Sequence, residues 1–171
     1  MGLLSFVKSA GAKLLGKDDE AEIRKETPAA MDDAASAAAR EKMRQAKMAA
    51  RLAQHVKGLG LEVADPTVEV QGETVKLGGR VKKQETREKV VLAVGNHEGI
   101  ASVDDQLVVE NPEPEANFYT VVRGDTLSKI AKEQYGNAMK YPVIFEANKP
   151  MLEHPDRIYP GQVLRIPALD E

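Results

Sequence analysis

The chain contains no cysteine and no tryptophan, and its aromatic side chains are only four Tyr and three Phe. Without cysteine there are no disulfides and no thiolate metal sites, which fits a reducing compartment. The scarcity of aromatics argues against function through a broad stacking surface. Excess positive charge is missing as well. Lys and Arg number 24 against 27 Asp and Glu, a formal charge of −3, so neither nucleic acid nor an acidic membrane is called for as the main partner. No apolar run approaches the ~20 residues of a membrane span. Leu3-Leu4-Ser5-Phe6-Val7 is followed at once by Lys8, short of the roughly 7–15 apolar residues of a secretory segment and without its basic lead. Phe6 stands where a myristoylation signal carries Ser or Thr. The expected location is the cytoplasm. At 171 residues there is room for one or two small domains, not a large enzyme core.

The equipment for catalysis is also absent. His55, His97 and His154 are far apart in no metal-ligand spacing, and there is no HExxH, GxSxG, Walker A or GxGxxG motif. Asp104-Asp105 could suggest an acid pair, but adjacent strand residues point to opposite faces. The two are expected to divide between surface and turn, and the chain is read as a non-enzyme.

What is present is a succession of short periodic elements. Leu3, Phe6, Val7, Ala10 and Leu14 have helical spacing and predict an amphipathic helix within residues 1–16. Residues 17–45 are a charged connector that becomes alanine-rich; helix formers from 33 to 57 predict a helix that buries Ala49, Leu52, Ala53 and Val56 and stops at Gly58 and Gly60. Val68-Glu-Val70, a Gly72-Glu73 turn and Val75 to Val81 have period two and predict a hairpin. Gln84 to Val94 returns to helical period, and Ile100 to Val109 alternates as a further strand. Asn111-Pro-Glu-Pro-Glu-Ala-Asn117 is a proline-rich, acidic linker, residues 111–117. Beyond it Tyr119 to Val122 alternates and the chain turns at Gly124. A helix capped by Asp125 or Thr126 then carries Leu127, Ile130 and Ala131 inward. A second helix, about Tyr141 to Ala147, ends near Asn148-Lys149-Pro150, and after a Tyr159-Pro-Gly turn Val163 to Ile166 closes as a strand.

The GDTLxxIA segment from Gly124 and the IYPGQxLxIP segment from Ile158 resemble a LysM domain. The hairpin, the helix ending in Val94-Gly95 and the following Gly99-Ile100 with spaced Val103 and Leu107 resemble a BON domain. Set behind Met-Gly-Leu-Leu-Ser-Phe-Val-Lys-Ser-Ala-Gly, the pair resembles the small cytoplasmic BON–LysM proteins of bacteria that bind potassium. The likeness covers residues 1–16 and roughly 45–168; the charged and alanine-rich stretch between departs from the compact family pattern. The implied fold is α+β: a BON αββαβ sandwich over 46–110 and a LysM βααβ unit over 118–168, preceded by a short N-terminal helix.

The function implied is that of a monomeric potassium sensor or buffer whose domains order when the ion binds. Potassium is large and weakly hydrated, and backbone carbonyls can replace its water shell. Helix C-termini offer such carbonyls unpaired, at the negative end of the dipole. The resemblance implies main-chain ligands at Val7, Ala10 and Ala12 on the first segment and Gly95, His97 and Ile100 on the second. His97 departs from the aliphatic residue usual there, so binding is expected to weaken at acid pH. For the LysM half the family implies binding of N-acetylglucosamine polymers near Gly124, Asp125, Thr126, Leu127, Asn148, Met151 and Ile158. Turn, cap and core roles explain several of these equally well, and docking of LysM against BON is the competing use. The alternative function is a cell-envelope module that grips peptidoglycan through LysM and phospholipid through BON. An adaptor role for the alanine-rich helix is opposed by its weak apolar face.

Overall fold

In the computed structural model, residues 3–6 and 34–169 are described. The first domain is built on a hairpin. β2 (Ala64–Gln71) and β3 (Thr74–Lys83) pair antiparallel across Gly72 and Glu73, and Gly72 takes the positive φ of 60° that a two-residue turn demands. Along β3, Val75, Leu77 and Val81 alternate inward and are at most 2% exposed. α2 (Gln84–Gly95) then crosses to β4 (Ser102–Asn111), which lies parallel to β3 from Thr74↔Ser102 to Lys83↔Asn111. A parallel pair requires such a crossover. α1 (Ala34–Gly58) packs against β2 and α2 through Leu52 and Val56, with Met48 and Ala49 partly buried. Ala53, expected on that buried face, is exposed, and residues 37–44 lie in solvent.

The amphipathic helix expected at the N-terminus gives way, where it is described, to a strand. Leu3–Ser5 forms β1, antiparallel to β4 with Leu3↔Asp104 and Ser5↔Ser102, and the sheet order is β1-β4-β3-β2. Without β1 the start of β4 would be an open edge with unpaired N–H and C=O groups. A helix of a few turns is marginal alone, so edge pairing decides the conformation. The remainder of the expected 1–16 helix, and most of the 17–45 connector, lies outside the described residues. Asp104 and Asp105 do face opposite ways, but Asp105 is in the core layer rather than a turn, 4% exposed and 2.7 Å from Arg87 Nε.

The second domain runs β5 (Asn117–Thr120), α3 (Leu127–Tyr135), a 3-10 turn at Ala138–Lys140, α4 (Tyr141–Ala147) and β6 (Val163–Ile166). β5 and β6 pair antiparallel. The helices close over them through Val121, Leu127, Ile130, Ala131, Ile144, Leu152, Leu164 and Ile166. Thr126, not Asp125, caps α3 by accepting from the Lys129 N–H at 3.2 Å.

Candidate functional site

The helix α2 is buried through Val90, Val91, Leu92 and Val94, and its last turn leads into residues 95–101. Asn96 and His97 donate their N–H groups to the Leu92 and Val94 carbonyls at 2.9 and 3.1 Å. Ile100 donates to the His97 carbonyl at 3.3 Å, and Gly99, at φ 84°, makes the turn between them. The three expected main-chain donors of this half, Gly95, His97 and Ile100, therefore sit in one buried loop at the negative end of a helix.

Phe6 brings the N-terminal segment to that loop. Its N–H bonds the Ala101 carbonyl at 2.7 Å, and its ring lies on Gly95 so closely that a Cβ there would collide with it. Gly95 has a negative φ, so the side chain is excluded by Phe6 and not by the backbone. Val7, Ala10 and Ala12 fall outside the described residues.

His97 is 5% exposed, and its ring meets that of His55 edge-on, with centroids 6.1 Å apart. Burial pushes the His97 imidazole below its ordinary value of 6.5; the charges of His55 and Arg51 act the same way, against a backbone hydrogen bond to Glu98. His55, more exposed, is lowered by partial burial. A base whose pKa is depressed on folding binds its proton more readily when unfolded. The stability it contributes is complete above its unfolded pKa and is lost as pH falls below it. The thermal midpoint should hold steady from about pH 8 to 7 and decline as pH falls through about 6.5 toward 5, and His97→Leu should flatten that decline. Equal slopes in the wild type and the variant would contradict this origin.

The loop also carries the contact with the second domain. Asn96, 5% exposed, donates its side-chain amide to the Val163 carbonyl at 2.9 Å and accepts the Val163 N–H at 2.8 Å. Further along α2, Glu88 pairs with Arg165 of β6 and accepts from Gln84 Nε2 and the Ala116 N–H. Val163, Phe118 and Met151 pack into the core of the first domain. Between the domains lies a cavity of about 650 Å³ lined by His55, Asn96, Met151, Ile158 and Tyr159, among others. Burial pushes the Tyr159 phenol up to about 12, and its hydroxyl finds no hydrogen-bond partner among the described residues.

The expected glycan residues are for the most part engaged in the fold. Gly124 turns the chain at φ 92°. Asp125 accepts from Tyr119 Oη at 3.1 Å and the Val122 N–H at 2.9 Å, Thr126 is the cap, and Leu127 is core. Asn148 is 1% exposed; it donates to the Ile144 and Arg165 carbonyls and accepts the Arg165 N–H. Met151 faces the first domain, and Ile158 packs on the core of its own. Phe6 suits the apolar face of a helix and Asn96 an ordinary helix-ending loop, and neither pattern shows the part each plays at the junction. A polar residue just past a helix end gives no sign of burial until its partner 67 residues away is placed.

Comparison with known proteins agrees with this architecture. A BON domain model matches residues 41–111 and a LysM domain model residues 119–167. The chain is 44% identical over 172 aligned residues to the potassium binding protein Kbp of Escherichia coli O6:H1, covering 98% of this chain and 99% of that one. The chain belongs to the Kbp family. An uncharacterized protein of Deinococcus radiodurans shares 52% identity over 50 residues, 29% of this chain and 19% of that protein. In this Kbp family member no helix among the described residues is long and apolar enough to cross a membrane. No group of three or more His, Asp or Glu side chains among them is placed to hold a metal ion.

Proposed function

We propose that this protein binds potassium through main-chain oxygens and acts in the cytoplasm as a sensor or buffer of the ion. The observation that carries the reading is Phe6 seated on Gly95 with its N–H on Ala101. Phe6 thus stands beside the 95–100 loop, and the ligand set proposed is Val7, Ala10 and Ala12 together with Gly95, His97 and Ile100. The donor set fits the ion. Carbonyl dipoles suit a large monovalent cation, and the C-terminus of α2 adds negative potential. Support also comes from a near full-length relative named for binding potassium.

Gathered carbonyls repel one another, so the ion favours the state in which both segments are closed. A ligand shifts an equilibrium only by its differential affinity for the two states. The second domain serves as a docking partner for the loop, consistent with the engagement of Asn148 and Met151 in the fold.

Thermal unfolding in potassium chloride and in sodium chloride at equal ionic strength tests the reading. Potassium at about a hundred times its Kd should add about 2.7 kcal/mol, raising the midpoint by several degrees over sodium. Equal midpoints would refute potassium binding.

A further inference from the structure

The free edge of β6 is closed by two asparagines. Val121 N–H bonds the Gln162 carbonyl and Gly161 N–H the Val121 carbonyl, at 2.8 and 2.7 Å. These turn the N–H and C=O of Val163 away from β5. Two residues on, Arg165 presents the same pair of groups, which Asn148 of its own domain closes at 2.8 Å each. At Val163 the partner is Asn96 of the other domain. Its carboxamide supplies one donor and one acceptor, as the next strand would.

From this we infer that Asn96 is the positioning residue through which the potassium loop fixes the second domain, an inference that rests on the potassium reading. Asn96 stands between Gly95 and His97. Its backbone, at φ −76° and ψ 0°, sets the angle between the peptide planes that carry the Gly95 carbonyl and its own, and its own N–H is tied to Leu92. Reorienting those carbonyls swings the carboxamide off Val163. The Val163 N–H and C=O then lose the two bonds that hold them to the loop, so the docked state is disfavoured and the freed N–H opens to exchange. Loop geometry and domain docking are thus alternative readings of one torsional state. Glu88 and Arg165 meet further up α2, where the loop does not reach, so they retain a tether when Asn96 lets go. Aspartate at 96 would keep the size of the side chain but set a carboxylate against the Val163 carbonyl, and that repulsion drives it off the Val163 edge.

The test uses the full chain and reads Val163 amide exchange in potassium against sodium, in wild type, Asn96→Ala and Asn96→Asp. Potassium affinity is measured on each, and Ile130 serves as a folding control within the second domain. In the wild type, potassium should slow Val163 exchange by about tenfold or more. In both variants Val163 should exchange fast, within about twofold with either salt, with Ile130 still protected and potassium bound more weakly. Potassium binding without any effect on Val163, or a potassium effect that survives Asn96→Ala, would overturn the coupling and leave the binding site standing. No potassium binding by the wild type would refute the site itself and the coupling with it. If Asn96→Ala loses Ile130 protection, Asn96→Asp, which keeps the size of the side chain, decides.

Discussion

Replacing Gly95 with valine should abolish the potassium response while leaving the second domain folded. Valine keeps the main-chain oxygen at position 95, so a loss cannot be attributed to removing a ligand. What it removes is the seat of Phe6, whose ring occupies the space the new side chain needs. Burial of a Phe side chain contributes about 1.5–3 kcal/mol. Among the described residues, β1 pairs with β4 at three positions, and so short a strand is weakly held by pairing alone. The ring should leave, β1 should detach, and the proposed N-terminal ligands should lose their anchor beside the loop. The expected result is a drop in potassium affinity of about a hundredfold or more, equivalent to about 2.7 kcal/mol, with Leu127 and Ile130 amides unaffected. Phe6→Ala should reach the same end by removing the ring instead of its seat. Wild-type affinity in Gly95→Val would show that the N-terminal segment has no part in the site.

Glu88→Ala is expected to be the most damaging single change to stability. Glu88 and Arg165 have side chains 4% and 12% exposed, and Glu88 also satisfies Gln84 and the Ala116 N–H. Removing one partner of a buried pair leaves the other charge uncompensated, at a cost of about 3–5 kcal/mol. Denaturant unfolding should show that loss, with the second domain melting separately from the first. Replacing both residues with methionine should be far milder, because no lone charge remains. A loss below about 1 kcal/mol for Glu88→Ala, the range of an exposed pair, would mean that water reaches the pair.

Much of this molecule is legible in its residues. Period two gives the β2–β3 hairpin, helical period gives α2, and the GDTL and YPGQ segments mark the second domain. The expected α+β fold of BON and LysM domains stands. What failed to show was decided by partners distant in sequence. Leu3 and Phe6 suit a helix as well as Leu4 and Phe6 suit a strand, and the open edge of β4 chooses. Gly95 reads as a helix stop, yet it is glycine because an aromatic ring arrives from the other end of the chain. Asp105, Asn96 and Asn148 look like surface residues, and each is buried against groups supplied by another element. Gly95, His97 and Ile100, implied by the family resemblance, fall together because they are close in sequence, at one helix end and the loop after it. Chain distance hides how a second segment reaches them.

The most direct measurement is a calorimetric titration of alkali-free protein with potassium chloride, with sodium chloride at equal ionic strength as the control. A saturable heat for potassium alone, at one ion per chain, is the expected result. No heat with either salt, together with no potassium-dependent change in the thermal midpoint, would contradict a potassium site at the Gly95–Ile100 loop.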